Sequence, residues 1–337
     1  MGTIQVAAIQ MRARVGDVAG NLSHAESLVR EAFRRGAEWV ILPEFFTSAG
    51  AFAPSMLSAW LLLEGPALEL LRKLAREHNG VVGSSFIAKS GQDCFNSFLL
   101  VFPNGQYYRH DKDLPTMWEN SYYIGGSDDG VLATPAGPVG VALCWELIRS
   151  QTVRRLLDKV TVVVGGSCWW DLRHPVPPQE ADYQALMRAL LRQAPGDLAR
   201  WLGVPVVHAA QAGEFAGLTP GNETVPYVSR FLGEAQITDG HGNVLARLAY
   251  EDGEGIVTAD IAPGRIEGDL APIPEGFWAV DLPPKTFQLW DRLNGFGREY
   301  YATTFRPLLN GDSHHGRHDN EGSVHQQVGQ GPHPRGA

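Results

Sequence analysis

Three polar side chains that could perform covalent chemistry directly follow predicted β-strands. Glu44 follows the apolar run "WVILP", Lys112 follows a predicted hairpin, and Cys144 follows "VGVAL". In sheets with parallel strands, ligands bind in the crevice beyond the strand ends at one edge of the sheet. We therefore expect these three side chains to meet at such an edge.

A cysteine, a lysine and a glutamate can carry out acyl chemistry without a histidine. A thiol is mostly protonated at neutral pH, and the thiolate is the nucleophile. Glu44 could act as the base, because burial raises the pKa of a carboxyl toward neutrality. Lys112 would stabilise the thiolate of Cys144 and later an oxyanion. The alternative base is His208 in "VPVVHAAQ", which would form a Cys–His pair.

Strand patterns alternate with helical patterns over the first 265 residues, which predicts a mixed α/β layer fold. Strands or hairpins are predicted at residues 4–10, 39–43, 81–88, 96–112, 139–143, 160–165, 204–209, 231–248 and 256–261, and helices at 68–77, 151–159 and 181–193. A further helix is predicted to begin at the capping box formed by Ser23 and Glu26 and to stop at Gly36.

The chain divides into three predicted segments. Residues 1–265 form one domain. Residues 266–310 begin with a Pro-rich stretch and contain a predicted helix at 285–298, which we expect to pack on the domain or on a dimer partner. Residues 311–337 have almost no aliphatic side chains, so we expect a disordered polar tail. This tail holds five of the eleven histidines but no fixed ligand spacing, so no metal site is predicted.

Composition argues against several classes of protein. The net charge of −9 and the lack of a basic cluster argue against nucleic acid as a partner. No uninterrupted apolar run reaches the length of a membrane-spanning helix, and the first residues do not form a signal peptide. The three cysteines contain no CxxC pair, so we expect a reducing cytoplasm, with Cys94 and Cys168 as structural residues.

The sequence resembles the nitrilase superfamily of carbon–nitrogen hydrolases. The resemblance spans residues 3–265 and rests on "ILPEFF", "HDKDLPTMWE" and "ALCWE" in this order, supported by "VAAIQM" and "FLGEAQITDGHGNVLA". It implies an α-β-β-α sandwich that dimerises into an αββααββα assembly. It also implies a catalytic triad of Glu44, Lys112 and Cys144, supported by a second glutamate, Glu119. Neither a metal nor an organic cofactor is expected.

The reaction that the resemblance implies proceeds through a cysteine thioester and releases ammonia or an amine. Lys112 and the backbone N–H of Trp145 would bind the oxyanion. Four further aromatic residues are expected to line the substrate pocket together with Trp145, namely Trp118, Tyr122, Trp169 and Trp170. The expected partners are therefore a small-molecule substrate and a second copy of the chain, with no nucleic acid and no membrane.

We expect a hydrolase of small amides, and a nitrilase is the main alternative. The patterns Cys-Trp-Glu and Lys-x-x-Pro-Thr-x-x-Glu resemble the nitrilase branch, although Leu147 stands where that branch usually has a polar residue. Acyl transfer from the thioester is a less favoured alternative, and the intact triad argues against a non-catalytic binding protein. Glu146 is expected to orient the turn after Cys144 or to pair with a neighbour such as Arg149.

Overall fold

The computed structural model describes residues 2–171, 173, 175–268 and 270–311. Within these residues the strands are β1 (Ile4–Met11), β2 (Trp39–Ile41), β3 (Leu61–Leu62), β4 (Val81–Ser90), β5 (Asp93–Val101), β6 (Tyr107–Asp111), β7 (Val131–Thr134), β8 (Gly137–Val141), β9 (Val162–Ser167), β10 (Val206–Thr219), β11 (Asn222–Leu232), β12 (Gln236–Thr238), β13 (Val244–Arg247) and β14 (Gly255–Ile261). The α-helices are α1 (Val18–Arg34), α2 (Pro66–His78), α3 (Ser150–Leu156), α4 (Ala181–Leu202), α5 (Pro284–Tyr300) and α6 (Arg306–Leu309).

The strands form one mixed sheet that is folded into two packed halves. One half has the order β6-β5-β4-β2-β1-β14, and the other has the order β7-β8-β9-β10-β12-β13. The halves join where the end of β1 pairs in parallel with β10, at Gln10 with Ala210 and at Met11 with Gln211. The central strands of both halves run parallel, so several strand ends meet at one edge.

Alternate residues of each strand belong to two different cores, as the two-residue period of a β-strand requires. In β1, Val6 and Ala8 lie in the apolar cluster between the sheet halves, whereas Ala7 and Ile9 lie in the cluster that packs against helices. Helices α1 and α2 cover the first half, and α3 and α4 cover the second. The predicted α-β-β-α sandwich is confirmed.

Helix α1 begins earlier than predicted, and the capping box proposed at Ser23 is wrong. The helix begins at Val18, where the carboxylate of Asp17 accepts a backbone N–H at 3.0 Å. An aspartate at this position satisfies one of the unpaired N–H groups of a helix start. The carboxylate of Glu26 accepts instead from the Arg30 guanidinium at 2.8 Å, on the helix surface.

Two elements in the second half of the chain are longer than predicted. Helix α4 was expected to end near residue 193, but it continues through Pro195 to Leu202 and stops at Gly203 in the left-handed region. Its buried face continues through Leu198, so packing outweighs the loss of one backbone N–H. The predicted strand at 204–209 extends to Thr219 and pairs with β11, whose mostly exposed residues give no apolar alternation.

Among the described residues, no helix combines the length and the apolar character that crossing a membrane requires. The predicted polar tail, apart from its first residue, lies outside the described part of the chain.

Candidate active site

The ends of β2, β6 and β8 bring the three predicted residues together. Glu44 lies three residues beyond β2, Lys112 directly follows β6, and Cys144 begins a short 3-10 turn after β8. One carboxylate oxygen of Glu44, one of Glu119 and the Cys144 sulfur all lie within 4.8 Å of one another. All four side chains are buried, so the cluster is closed to bulk solvent.

Glu44 lies at the centre of the hydrogen bonds in this cluster. Its Oε1 accepts from Lys112 Nζ and from Asn96 Nδ2, each at 2.8 Å, and its Oε2 accepts from the Cys168 backbone N–H at 2.8 Å. Burial raises the pKa of Glu44 to about 7, although the charge of Lys112 opposes the rise. A carboxyl with this pKa can both take up and release a proton near neutral pH.

Lys112 bridges the two carboxylates. Its Nζ donates to Glu119 Oε2 at 2.7 Å in addition to Glu44. Burial alone would lower the pKa of Lys112, but Glu119 and Glu44 raise it well above its ordinary value, so the lysine keeps its charge. Glu119 Oε2 also accepts from the Tyr123 hydroxyl and from the Thr116 backbone N–H at 3.0 Å.

The thiol of Cys144 is protonated in the resting site. Burial, and then the negative charge of Glu44, raise the pKa of this thiol well above its ordinary value, and a hydrogen bond to Glu44 adds to the effect. Nucleophilic attack by Cys144 would therefore require removal of its proton, and the Glu44 carboxylate lies within 4.8 Å of the sulfur, where it could act as the base.

Left-handed backbone accompanies the cluster at three points. Cys144 has φ = 51°, Phe45 next to Glu44 has φ = 55°, and Met117 in the turn that carries Glu119 has φ = 55°. A non-glycine residue in this region costs roughly 1–2 kcal/mol. The surrounding fold offsets this strain at the residues that aim the functional side chains.

Two glycines at the end of β9 allow neighbouring segments of the same chain to approach closely. A Cβ on Gly165 would lie 2.0 Å from the carbonyl oxygen of Ala142, two residues before Cys144. A Cβ on Gly166 would lie 2.9 Å from the Pro43 Cα, next to Glu44. The Gly-Gly pair is thus a further sequence signal for the site, outside the three motifs, since a strand glycine often marks close backbone approach.

Glu146 ties the segment before Cys144 to the segment after Lys112. Its Oε2 accepts from the Leu143 N–H and its Oε1 from the Asp113 N–H, both at 2.9 Å. The predicted role in orienting the turn agrees with these contacts. Glu146 also pairs with a neighbouring arginine, but this is Arg155, at 3.4 Å, and not Arg149. Arg149 pairs with Asp113 instead.

His110 is a positively charged neighbour of Glu146, in addition to Arg155. Its Nε2 lies 3.2 Å from Glu146 Oε2, and its Nδ1 lies 2.5 Å from Asp128 Oδ1. Burial alone would lower the pKa of His110, but Glu146 and Asp128 raise it to about 10. A charged imidazolium therefore lies behind the site rather than in it.

His208, the alternative base, bonds elsewhere. Its Nε2 lies 3.1 Å from the Ser167 hydroxyl, and burial lowers the pKa of His208 to about 4. Such a histidine stays neutral at physiological pH and has its own partner in the core. The Cys–His alternative therefore finds no support in the contacts of the described residues.

The predicted aromatic residues border two small cavities, and the smaller of these also borders Glu119. Trp145 and Trp169, with ring centroids 5.5 Å apart, border a cavity of about 50 Å³, and Trp170 borders the same cavity. Trp118 stacks on Trp170 at 4.0 Å and borders a second cavity of about 10 Å³. Tyr122 also borders this second cavity, and its hydroxyl accepts the Ala53 N–H at 3.1 Å.

Helix α5 supplies contacts that the sequence did not reveal. Asn294 Oδ1 accepts the Met117 N–H at 2.9 Å and the Asn120 side-chain N–H at 2.8 Å. Trp290 stacks on Trp145 with ring centroids 5.5 Å apart and planes 8° apart. No motif identified these residues as part of the site.

The Glu44, Glu119 and Cys144 ligand atoms are close enough for one metal ion to bridge them. Lys112 Nζ, however, bonds to both carboxylates. Its positive charge would repel a cation at short range in this buried site. The donor set therefore fits covalent catalysis better than metal binding.

Comparison with known proteins agrees with this geometry. Residues 5–269 match the carbon–nitrogen hydrolase family. A nitrilase of Pyrococcus abyssi is 25% identical over 263 residues, which are 77% of this chain and 89% of that protein. Nitrilase 3 of Arabidopsis thaliana is 30% identical over 168 residues, which are 43% of this chain and 48% of that protein, so the match spans about half of that relative.

The solved structure of a carbon–nitrogen hydrolase from Helicobacter pylori G27 shares the fold, with a TM-score of 0.64 at 18% identity. That similarity covers 92% of this chain and 99% of the other. The family match covers most of the chain and contains the buried cysteine and its acidic neighbours. The chain belongs to the carbon–nitrogen hydrolase family of the nitrilase superfamily.

Proposed function

We propose that the protein hydrolyses a small amide through a thioester on Cys144. The observation that carries this proposal is the closed cluster in which Glu44 lies within 4.8 Å of the Cys144 sulfur and accepts a hydrogen bond from Lys112 at 2.8 Å. Glu44 takes the thiol proton, and the sulfur attacks the carbonyl carbon. Lys112 then lies beside the developing oxyanion.

The backbone N–H of Trp145 is the second proposed oxyanion donor. Trp145 is the second residue of the 3-10 turn Cys144–Ile148, and the first N–H groups of a helical turn have no partner within it. A preorganised donor of this kind is typically worth roughly 10²–10³ in rate.

The carbon–nitrogen bond breaks as Glu44 returns its proton to the leaving nitrogen. Glu44 then takes a proton from water, and the hydroxide attacks the thioester carbon. The carbon–sulfur bond breaks, the acid leaves, and the proton returns to the Cys144 sulfur. The pKa of Glu44, raised to about 7, suits it to these repeated transfers.

Nitrile hydrolysis is the second candidate, and the similarity to the Pyrococcus abyssi nitrilase favours it. Attack of Cys144 on a nitrile carbon would give a thioimidate, and water would convert this to the same thioester with release of ammonia. Both reactions use the same residues. Acyl transfer would replace the water that attacks the thioester with an amine or thiol, and no contact among the described residues of the site supports such an acceptor.

The test is a panel of amides, nitriles and N-carbamoyl compounds, with released ammonia measured and the acyl–enzyme trapped for mass spectrometry. Cys144→Ala should lose roughly 10⁴-fold or more in turnover and should carry no acyl group. Cys94→Ala is the matched control, because Cys94 is also buried but lies in β5, outside the cluster. Full turnover by Cys144→Ala would refute the proposal, and activity confined to nitriles would reverse the ranking.

We also propose that two copies associate into the αββααββα assembly expected for the family. The solution mass should then be about twice the 36.8 kDa of one chain. Sedimentation analysis measures this mass, and a monomer at micromolar concentration would refute the assembly.

A cytoplasmic location stays a prediction, as do the domain boundaries at 265 and 310.

A further inference from the structure

We propose that Asn96 is a positioning residue that holds the carboxylate of Glu44 in the ionised form and in the orientation in which it can accept the thiol proton of Cys144. This inference rests on the function proposed above, and it adds a residue that belongs neither to the triad nor to the second glutamate. It follows from the contacts of Asn96, from its burial, and from the apolar face on which it lies.

Asn96 contacts two members of the triad. Its Nδ2 donates to Glu44 Oε1 at 2.8 Å, and its backbone carbonyl accepts the Lys112 N–H at 3.0 Å. Lys112 Nζ donates to the same Glu44 oxygen, also at 2.8 Å. Asn96 therefore joins the segment after β2 to the segment after β6 at the point where their side chains meet.

Asn96 lies on a face of β5 where packing alone would favour an apolar residue. Alternate residues of a strand share a face, so Asn96 shares its face with Phe98 and Leu100, which lie in the apolar cluster between the sheet halves. Asn96 is fully buried, and its Oδ1 has no hydrogen-bond partner among the described residues. A buried amide with one unpaired end is costly, and such a local cost is expected where a residue serves the site.

The hydrogen bond from Asn96 favours the ionised form of Glu44. A carboxylate accepts an N–H donor more strongly than a neutral carboxyl does. Oε1 receives the donors of Asn96 and Lys112, and Oε2 receives the Cys168 backbone N–H at 2.8 Å. These three donors fix both oxygens of the carboxylate, so its plane is defined before a substrate binds.

Asn96 is a neutral donor in a set of titratable groups. Burial raises the pKa of Glu44 to about 7, the charge of Lys112 opposes the rise, and Glu119 adds to it. The titratable groups that face Glu44 among the described residues are Lys112, Glu119, Tyr123, Cys144 and Cys168. Removing Asn96 leaves all of these groups in place and removes one donor to the carboxylate. The pKa of Glu44 should therefore rise further.

The first test is the pH profile of turnover in Asn96→Leu and Asn96→Asp. Leucine has a similar size but donates nothing, and an ionised aspartate replaces the donor with a second negative charge. The rise of kcat/KM should move from near pH 7 to higher pH by roughly one to two units, which is the effect of one hydrogen bond to a charged group. At neutral pH, kcat should fall roughly 10- to 100-fold.

Ser97→Ala is the matched control. Ser97 is the next residue of β5 and is also buried, but its hydroxyl donates to Asp111 Oδ1 at 2.6 Å rather than to Glu44. This variant loses one hydrogen bond from the same strand, so it reports on a general weakening of β5. The midpoint of its pH profile should stay at the wild-type value.

The second test needs no substrate. Urea denaturation compares the wild type, Asn96→Leu, Glu44→Gln and the double variant at about pH 5.5 and about pH 9. With a higher pKa of Glu44 in the folded state, Asn96→Leu continues to lose stability above pH 7, where the loss in the wild type levels off. Between the two pH values, the unfolding equilibrium constant of Asn96→Leu relative to the wild type should rise roughly 10- to 100-fold. The same comparison in the Glu44→Gln background should show no such rise.

The outcomes separate this inference from the proposed function. A wild-type midpoint in folded Asn96→Leu and Asn96→Asp, or an equal shift in Ser97→Ala, would overturn the inference while the hydrolase remains. A rise in the unfolding constant that persists in the Glu44→Gln background would also overturn it. If no amide or nitrile reacts and Cys144 is never acylated, the proposed function fails, and the catalytic role of Asn96 fails with it. Circular dichroism checks folding, and the near-isosteric Asn96→Asp carries both tests if Asn96→Leu does not fold.

Discussion

Replacing Glu44 with glutamine should remove activity and also remove a pH-dependent loss of stability. The carboxyl of Glu44 is fully buried between Lys112, Glu119 and Cys144. Burial raises its pKa from 4.5 to about 7. The folded protein therefore binds this proton more tightly than the unfolded chain does. Above pH 4.5 the unfolded chain releases the proton first, so stability falls as the pH rises toward 7.

The size of the effect follows from the pKa difference. Each pH unit between 4.5 and about 7 costs about 1.4 kcal/mol, so the wild type loses about 3 kcal/mol over this interval from Glu44 alone. Glu44→Gln lacks this ionisation. The difference in unfolding free energy between wild type and variant should therefore shift by about 3 kcal/mol in favour of the variant between pH 4.5 and pH 8.

The assay is urea denaturation of both proteins at half-unit pH steps. Contributions that the two proteins share, such as the ionisation of His110, cancel when one free energy of unfolding is subtracted from the other. Glu69→Gln, which removes an exposed carboxylate, controls for the loss of one negative charge. The same ionisation should appear in wild-type kcat/KM as a rise with pH, centred near 7. A difference in stability that stays constant across this range would refute the reasoning.

Three further predictions concern the supports of the site and the tail. Asn294→Leu removes a buried acceptor supplied by α5 and should lower kcat roughly 10- to 100-fold, whereas Asn294→Asp keeps the acceptor and should retain most activity. Gln288→Ala, at an exposed position of the same helix, is the control. Equal losses of kcat in both Asn294 variants, or a loss in Gln288→Ala, would contradict this role. Glu146→Ala leaves the charged His110 without one of its two carboxylate partners, so the free energy of unfolding should fall by about 3–5 kcal/mol. Glu146→Gln should cause a smaller loss. A loss under about 1 kcal/mol for Glu146→Ala in urea denaturation would contradict the role of the contact between His110 and Glu146. Truncation after Leu309 should leave turnover and melting temperature nearly unchanged, and a large loss of either would show that the tail contributes to the fold.

The meeting of Glu44, Lys112 and Cys144 could be predicted because the sequence signal of each residue is local. Glu44 and Cys144 each follow a short apolar run, and Lys112 ends a hairpin, so each position is defined by its immediate neighbours. Parallel strand ends then meet at one sheet edge for general reasons of topology. The motif order identified the family on the same residues, and the family match and the fold confirm that identification.

The supports of the triad could not be predicted in this way, because each depends on a contact between distant segments. Asn96 is 52 residues from Glu44, and Asn294 is 177 residues from Met117. Their side chains have no motif of their own, and many asparagines in the chain would have looked equivalent. The capping box at Ser23 shows the reverse error: a correct local pattern was outweighed by a better cap at Asp17.

The boundary of the family match and the boundary of the functional unit differ in this chain. The match ends at residue 269, and the α-β-β-α core is complete by Ile261. Yet α5, which lies beyond both, accepts the N–H of left-handed Met117, stacks Trp290 on Trp145, and borders the larger cavity. A chain that ended at the family boundary would keep the four layers and lose the contacts of Trp290 with Trp145 and of Asn294 with Met117. Because α5 lies outside the matched residues and still contacts Trp145 and the turn that carries Glu119, the family match alone does not define every residue that supports the site.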